Sequence, residues 1–230
     1  MSKESLVERY RPQSLDDVVG QPFVLEKVRG LMAKEGGIEI NLLFSGIPGV
    51  GKTTVAKCIA REMEKKYDDE VPGPHWLSFH HFAGGDLSIA DIKGDISRLT
   101  EFRGKRVIFI DEADGLNMDK QKPLAKIMEG KNAIFILSCN DDNKLGDLLK
   151  SRCSKFKFSA LKAEDIRNRL LYISREEGVL EPGAPPMIQR FYSKLSREAQ
   201  GDMRAAINEL ETYISNGKLN LGLVEMYVGE

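Results

Sequence analysis

Residues 46 to 53 form a pattern that is typical of a phosphate-binding loop. They read "GIPGVGKT", which places Gly46, Gly51, Lys52 and Thr53 at the spacing G-x-x-x-x-G-K-[ST]. Glycines let successive backbone N–H groups turn towards one phosphate, while the lysine adds a positive charge and the threonine hydroxyl can bind Mg²⁺. The pattern therefore predicts a nucleotide-binding loop, although a glycine-rich turn without a ligand remains the alternative.

Two carboxylates follow the apolar run "VIFI". Asp111 and Glu112 come directly after it, at the carboxyl end of a predicted strand, which is where open α/β sheets bind ligands. Asp111 would bind Mg²⁺ directly or through water, and Glu112 would orient and deprotonate an attacking water. For this pair considered alone, a solvated acidic turn is the alternative.

Asn140 ends the next apolar run, "NAIFILSCN". Its amide can both donate and accept hydrogen bonds, so beside the acidic strand it could hold the attacking water or contact the γ-phosphate. An ordinary turn at the start of "NDDNKLG" is the competing interpretation, because this segment is rich in turn-forming residues.

Strand-like and helix-like segments alternate around these polar residues. Leu42 to Phe44 are typical of the end of a buried strand, and apolar residues from Val55 to Ala60 recur at helical spacing after the loop. Helix-length polar segments separate three more β-rich runs, at residues 75–82, 105–114 and 132–140. This alternation predicts an α/β fold with a parallel sheet.

The chain becomes helical from about residue 161. "AEDIRNRLLYISREEG" begins with acidic residues and carries Ile166, Leu170 and Ile173 on one face. "EPGAPP" interrupts that helix, and further helical segments follow. We therefore predict two domains, an α/β domain over residues 1–160 and a smaller helical domain over residues 161–230.

Composition limits the classes of function. The 230 residues carry a net charge of −1, without the basic excess of a protein that coats nucleic acid non-specifically. Cys58, Cys139 and Cys153 are too far apart to predict a zinc site or a disulfide framework, and His80 and His81 should point to opposite faces of a strand. Because neither a signal peptide nor a long apolar run is found, we expect a soluble, cytosolic protein without a membrane contact.

Seven short motifs resemble those of one protein family. They are "VERYRP" (7–12), "DDVVGQ" (16–21), "GIPGVGKTT" (46–54), "IFIDEAD" (108–114), "ILSCN" (136–140), "SRC" (151–153) and "GDMRAAIN" (201–208). Their order and spacing resemble the clamp-loader small subunits of the replication factor C type, within the AAA+ ATPases, with archaeal or related viral forms most similar. This resemblance implies an ATPase domain followed by a helical lid, with ATP and Mg²⁺ as ligands.

The resemblance also implies a role for each matching residue. Lys52 and Thr53 belong to Walker A, Asp111 and Glu112 to Walker B, Asn140 is sensor 1 and Arg204 is sensor 2 in the lid. The implied nucleotide-binding residues are Val7, Arg11, Val19, Gly46, Ile47, Pro48, Gly49, Val50, Gly51, Lys52, Thr53, Thr54, Asn140 and Arg204. Thr53 and Asp111 would hold Mg²⁺, and Glu112, Asn140, Arg152 and Arg204 would act in hydrolysis.

Arg152, in "SRC", would otherwise be one surface arginine among 34 Lys and Arg residues. By the resemblance it is an arginine finger that reaches the γ-phosphate of a neighbouring subunit. A guanidinium can bind phosphate oxygens bidentately and stabilise the charge of the transition state. Hydrolysis should therefore need an oligomer.

Several positions depart from the family pattern. Phe82 stands where the family has an asparagine that restrains the catalytic glutamate, and Ala125 where it has an arginine that couples DNA to hydrolysis. Lys120, Lys122 and Lys126 remain near that position as cations for DNA, and Pro123 should lie in the first turn of its helix. The collar domain that holds the pentamer together is absent from these residues, so the chain is either a truncated form or a natural short form.

The partners that the resemblance implies are sister subunits in a pentameric loader, a sliding clamp and primer-template DNA. The location would be the cytosol, or the nucleus in a eukaryote. Another AAA+ machine, such as a helicase loader or a junction motor, is one alternative. A nucleotide-binding scaffold without turnover is a second, although Asp111, Glu112 and Asn140 argue against it.

Overall fold

A five-stranded parallel sheet forms the centre of the molecule in a computed structural model that describes residues 4–35, 37–70, 78–101, 106–180, 185–215 and 217–229. The strand order is β2-β3-β4-β1-β5. The strands are β1 (Asn41–Ser45), β2 (Ser78–Ala83), β3 (Arg106–Asp111), β4 (Ala133–Cys139) and β5 (Cys153–Lys157). The predicted α/β fold with a parallel sheet is confirmed. Residues 75–77 and 105 of the predicted strands lie outside the described part of the chain.

Helices cover both faces of the sheet. They are α1 (Leu6–Arg9), α2 (Pro22–Met32), α3 (Lys52–Glu70), α4 (Ile89–Asp91), a π-helical segment (Ile92–Ile96), α5 (Ser97–Glu101), α6 (Met118–Ile127) and α7 (Asp147–Lys150). Short 3₁₀ turns lie at Leu15–Asp17, Ala113–Gly115 and Asp142–Lys144. Except for α1 and α4, these helices contribute to two apolar clusters, one on each face of the sheet.

Alternation along the strands divides the core between the two faces. Leu42 and Phe44 of β1 pack with α2 and α3. Leu43, between them, packs with the π-helical segment and α6. Successive side chains of a strand point to opposite faces, and a parallel sheet covered on both faces needs continuously apolar strands. This requirement explains why all seven residues of β4 are buried.

A third apolar cluster lies in the helical region after the sheet. That region contains α8 (Ala163–Glu176), α9 (Pro186–Glu198), α10 (Met203–Thr212), the two-stranded antiparallel ribbon β6 (Ile214–Ser215) and β7 (Lys218–Leu219), and α11 (Leu221–Gly229). Residues 181–184, in the predicted helix interruption, lie outside the described residues, and α9 begins at Pro186. Leu6 of α1 is buried in the same cluster, so the amino-terminal helix packs on the lid. The boundary at residue 160/161 stays a prediction.

The start of α6 differs from the sequence-based expectation for Pro123. The Asn117 side chain accepts a hydrogen bond from Lys120 N at 3.1 Å and caps the helix. Because α6 therefore begins at Met118, Pro123 lies in its second turn, and the expectation that it occupies the first turn was wrong. Ala125 is completely buried in the core.

Cys58 and Cys139 are buried free thiols, and Cys153 is half-buried. Burial raises the pKa of Cys58 to about 11 and that of Cys139 to about 12. Both thiols are therefore protonated at neutral pH. Separately, none of the helices in the described part of the chain is long and apolar enough to cross a bilayer.

Candidate active site

A cleft lies between the carboxyl edge of the sheet, the amino-terminal segment and the lid. The predicted residues that line it are Val7, Arg11, Val19, Pro48, Gly49, Val50, Gly51, Lys52, Thr53, Thr54, Asp111, Glu112, Asn140 and Arg204. Gly46 and Ile47 do not line the cleft, but their carbonyl groups accept hydrogen bonds from Lys52, which does. Residues from five distant segments of the sequence thus meet at one site.

The glycine loop packs closely against the lid. Gly49 has φ +69°, and a β-carbon there would lie 1.6 Å from Asp202 Oδ1. Met203 N donates a hydrogen bond to Gly49 O at 3.2 Å. Only glycine combines this left-handed conformation with so close an approach. The loop therefore links the start of α3 to the start of α10.

The Lys52 ammonium group is held by its own loop and by Asn140. It donates to Gly46 O at 2.6 Å, Ile47 O at 2.9 Å and Asn140 Oδ1 at 2.9 Å. Burial lowers the pKa of Lys52, and the charge of Asp111 opposes that shift. An ammonium group has three donors, so a phosphate oxygen must replace one of these acceptors.

Asp111 is the centre of a hydrogen-bond network at the end of β3. Its Oδ2 accepts from Thr53 Oγ1 at 2.8 Å, and its Oδ1 accepts from Ser138 Oγ and from Glu112 N at 3.1 Å. Ser138 is buried near the end of β4. These hydrogen bonds fix the orientation of the Asp111 carboxylate.

Glu112 has a left-handed backbone conformation, φ 51° and ψ 46°. Such a conformation is uncommon for a residue with a side chain, and it occurs preferentially at functional sites. Glu112 N donates to Ser138 Oγ at 3.1 Å, while a β-carbon on Gly84 would lie 2.6 Å from Glu112 O. Neighbouring strands therefore hold the Glu112 backbone, and its side chain is exposed beside the cleft.

Asn140 contacts Lys52 through its side chain and Asp114 through its backbone. Asn140 N and Asp141 N both lie 3.3 Å from Asp114 Oδ2. The turn that follows is formed by Asp141, whose Oδ1 accepts from Asn143 N at 3.0 Å. The Asn140 amide is thus directed towards the nucleotide loop, and a different residue makes the turn.

The amino-terminal segment connects the lid to α3 across one end of the cleft. Tyr10 donates through its hydroxyl to Glu177 Oε1 at 2.8 Å, and Arg11 Nη1 donates to Thr54 Oγ1 at 3.1 Å. Arg169 Nη2 donates to Tyr10 O at 2.6 Å. Val7, Arg11 and Val19 lie on the cleft wall.

Sequence reasoning missed several residues of the cleft. They are Tyr10, Pro12, Val18, Ser138, Cys139, Leu161, Arg169, Met203 and Ile207. Ser138 carried a usable signal, because a hydroxyl in the otherwise apolar strand "AIFILSC" needs a buried partner. The lid residues carried none, since helical periodicity alone does not say which face meets the nucleotide loop.

Arg204 lies in the first turn of α10 and lines the cleft from the lid side. Its side chain is exposed. The helix start is fixed by Asp202, whose Oδ1 accepts from Ala205 N at 2.9 Å. A change in the orientation of the lid would therefore move Arg204 relative to the loop.

Arg152 does not line the cleft. It immediately precedes β5, whose first residue, Cys153, pairs with Asn41 at the amino end of β1. The nucleotide loop follows the opposite end of β1, after Ser45. At about 3.3 Å per residue of strand, the Arg152 backbone is roughly one strand length from the loop of its own chain.

Phe82 and His81 are neighbours of the acidic strand. Phe82 pairs with Ile110 and packs, partly buried, against the core cluster around α6, and its ring cannot hydrogen-bond Glu112. His81 lies on the other face, with its Nε2 3.8 Å from Asp111 Oδ2 and its ring 5.0 Å from that of Phe109. Burial lowers the pKa of His81, against the opposing charge of Asp111.

The donor set at the end of β3 fits Mg²⁺. Magnesium prefers oxygen ligands, and in nucleotide sites it binds through one or two protein oxygens together with phosphates and waters. Thr53 Oγ1 and the Asp111 carboxylate supply such oxygens 2.8 Å apart, next to the loop.

Comparison with known proteins agrees with the fold and the loop. Residues 42–161 match the model of the "ATPase family associated with various cellular activities (AAA)". The Thermotoga maritima RuvB Holliday junction branch migration motor has a similar structure, with a TM-score of 0.72 over 95% of this chain and 72% of that chain. At 21% identity, this similarity concerns the fold alone.

Curated relatives are more similar in sequence. The replication factor C small subunit of Methanosphaera stadtmanae is 36% identical over 91% of this chain and 63% of its own length. That of Methanothermobacter thermautotrophicus is 37% identical over 92% of this chain and 64% of its own length. The chain thus spans less than two thirds of these relatives. It belongs to the AAA family of ATPases, and the predicted resemblance to replication factor C small subunits is confirmed.

Proposed function

We propose that this chain binds and hydrolyses ATP as a subunit of a clamp loader, which opens a sliding clamp and closes it on primer-template DNA. The observation that carries the proposal is the network joining Thr53, Asp111 and Ser138 next to the Lys52–Asn140 contact. At one sheet edge it brings together a cation that would bind phosphate, a carboxylate that would bind a metal ion and a neutral polar amide. The similarity to replication factor C small subunits supports the choice of a clamp loader.

We propose a separate role in binding or hydrolysis for each of these residues. Lys52 and the loop N–H groups would bind the β- and γ-phosphates, and Arg11, Val7 and Val19 would surround the base. Thr53 and Asp111 would hold Mg²⁺, which neutralises charge on the phosphates when it is bound.

Glu112, exposed beside the cleft, would accept a proton from the attacking water. Asn140 would position that water, and Arg204 would sense the nucleotide from the lid.

The position of Arg152 supports hydrolysis at subunit interfaces. Arg152 lies far from the nucleotide loop of its own chain. As an arginine finger, it would therefore contact the γ-phosphate bound by the neighbouring subunit. We therefore propose that sister subunits complete the site in a pentameric ring. Exposed Lys122 and Lys126 on α6 are candidates for contacts with DNA phosphates, and a replication role implies the cytosol, or the nucleus of a eukaryotic cell.

Phosphate release measured with and without a sliding clamp and primed DNA tests this function. A clamp loader should hydrolyse ATP slowly alone and faster when both are present. Stimulation by branched DNA without a clamp would instead indicate a junction motor. Tight ATP binding with no turnover under any of these conditions would indicate a non-catalytic scaffold and overturn the proposal.

A further inference from the structure

Arg152 is held by one carboxylate of its own chain. Its Nε donates to Glu129 Oε1 at 3.2 Å, and its Nη2 donates to the same oxygen. Its Nη1 donates to Leu148 O at 2.8 Å. The guanidinium of an isolated subunit is therefore already fixed before a neighbour arrives.

The contacts leave a defined part of the guanidinium available. An arginine side chain has five N–H groups, one on Nε and two on each terminal nitrogen. Glu129 takes one from Nε and one from Nη2, and Leu148 takes one from Nη1. With respect to the described residues, one N–H on each terminal nitrogen remains for another acceptor. The terminal nitrogens of a planar guanidinium can each donate to a phosphate oxygen.

The two residues come from elements that the core holds in place. Glu129 follows α6, which is anchored by the completely buried Leu124. Arg152 follows α7, where Leu149 is also completely buried, and Arg152 N donates to Leu149 O at 3.1 Å. The Glu129–Arg152 contact therefore joins two anchored backbones, which makes it suited to fixing an orientation.

We propose that Glu129 is a positioning residue for Arg152, which orients the guanidinium so that its free N–H pair meets the γ-phosphate of the neighbouring subunit. The inference rests on the proposed role of Arg152 between subunits. The opposite possibility is that Glu129 sequesters Arg152 and slows hydrolysis. The geometry favours positioning, because Glu129 and Leu148 engage three of the five N–H groups and leave one on each terminal nitrogen.

The test combines Glu129→Ala and Glu129→Gln with Arg152→Ala. ATPase rates are measured over a range of protein concentrations, with the sister subunits, a clamp and primed DNA present. We expect Glu129→Ala to lower kcat by about tenfold through misorientation of Arg152, with nucleotide affinity unchanged. Glu129→Gln keeps an acceptor oxygen and should lose less. In the Arg152→Ala background, Glu129→Ala should have no further effect.

Asp147→Ala is the matched control. Asp147 is a fully exposed acid at the start of α7, and it pairs with Lys150 at 3.5 Å. Its replacement removes one negative charge near Arg152 without removing an Arg152 contact that the structure shows. We expect its kcat to equal that of the wild type. A loss equal to that of Glu129→Ala would mean that surface charge, and not positioning, explains the effect.

Nuclear magnetic resonance of the isolated chain gives a readout that is independent of assembly. Exchange of the Arg152 Nε–H with water should accelerate in Glu129→Ala, because its acceptor is lost, and remain slow in Asp147→Ala. Unchanged exchange would show that the contact does not hold the guanidinium in solution and would overturn the inference.

The remaining outcomes separate this inference from the proposed function. If Arg152→Ala slows hydrolysis but Glu129→Ala leaves it unchanged or accelerates it, only the positioning role fails. An equal effect of Glu129→Ala with and without Arg152 would assign Glu129 a structural role. A rate independent of both protein concentration and Arg152 would overturn the role of Arg152 between subunits, and with it this inference.

Discussion

The two edges of the central sheet differ in whether the functional groups at each edge contact one another within a single chain. At the carboxyl edge, Lys52, Thr53, Asp111 and Asn140 are joined by direct hydrogen bonds within one chain. At the amino edge, Arg152 and Glu129 form a half-exposed pair with two donor groups still available. This comparison is the basis of our proposal that nucleotide binding belongs to a single chain, while hydrolysis depends on a second one.

Arg152→Ala should have the largest effect, because it should impair hydrolysis without changing nucleotide binding at the carboxyl edge. Removal of an arginine finger costs about 10³- to 10⁵-fold in rate in related phosphoryl-transfer chemistry. We therefore expect the assembled complex to lose at least about 10³-fold in ATPase rate, while the isolated chain keeps its affinity for a labelled nucleotide. Reduced affinity of the isolated chain for nucleotide would mean that Arg152 acts at the nucleotide site of its own chain. The two edges would then not differ in the way that we propose.

A mixing experiment sharpens that prediction. Glu112→Gln should bind ATP and Mg²⁺ but turn over poorly, because an amide cannot accept the proton of the attacking water. Mixed with Arg152→Ala, it should restore partial activity at interfaces that combine an intact Glu112 with an intact Arg152 from the neighbour. If the mixture stays inactive while light scattering shows co-assembly, the two residues do not act across an interface.

Lys52→Ala tests the carboxyl edge alone. The ammonium group donates charge-assisted hydrogen bonds, each worth about 1.5–3 kcal/mol. The loss of one such bond should weaken ATP binding by about 10- to 150-fold, in the isolated chain and the complex alike. A titration with labelled nucleotide measures this, with Lys57→Ala on the same helix as the control. Unchanged affinity would show that the Lys52 ammonium group is not required for binding.

Ser138→Ala should have a smaller effect at the same edge. Ser138 orients Asp111 and accepts from Glu112 N, and the loss of such supporting groups typically costs about 10–100-fold in metal affinity or activity. We expect the Mg²⁺ concentration for half-maximal ATPase activity to rise by about tenfold. Because Asp111 and Thr53 remain, nucleotide binding without Mg²⁺ should not change. An unaltered Mg²⁺ dependence would show that Ser138 does not support the metal site.

His80 gives the smallest predicted effect, on stability. Burial, and then the charge of Arg106, lower the pKa of His80 below its usual 6.5. As the pH drops through about 6.5, His80 in the unfolded chain takes up a proton, while His80 in the folded chain stays neutral. Protonation therefore favours the unfolded chain, and the free energy of unfolding falls with the pH in this range. Denaturant titrations between pH 8 and 5 should show that the free energy of unfolding falls less steeply with decreasing pH in His80→Gln than in the wild type. The two proteins share all other titrating groups.

The nucleotide site was largely predictable from sequence because its parts are local. The loop "GIPGVGKT", the pair Asp111–Glu112 and Asn140 each follow an apolar strand. In a parallel sheet, the carboxyl ends of neighbouring strands lie at one edge, so their convergence could be expected. Ser138, Tyr10 and Arg169 were missed, since their roles depend on which strand or helix lies beside them.

Hydrophobic periodicity, glycine placement and motif spacing determined the α/β fold, the loop and the acidic strand of this protein. Those signals suffice where a structure depends on neighbours in the chain and on strand polarity. Tertiary structure alone decided that α1 packs on the lid, that Pro123 lies in the second turn of α6, and that Glu129 holds Arg152. Each depends on contacts between residues far apart in sequence or on where a helix is capped, and periodicity within one segment contains no information about either.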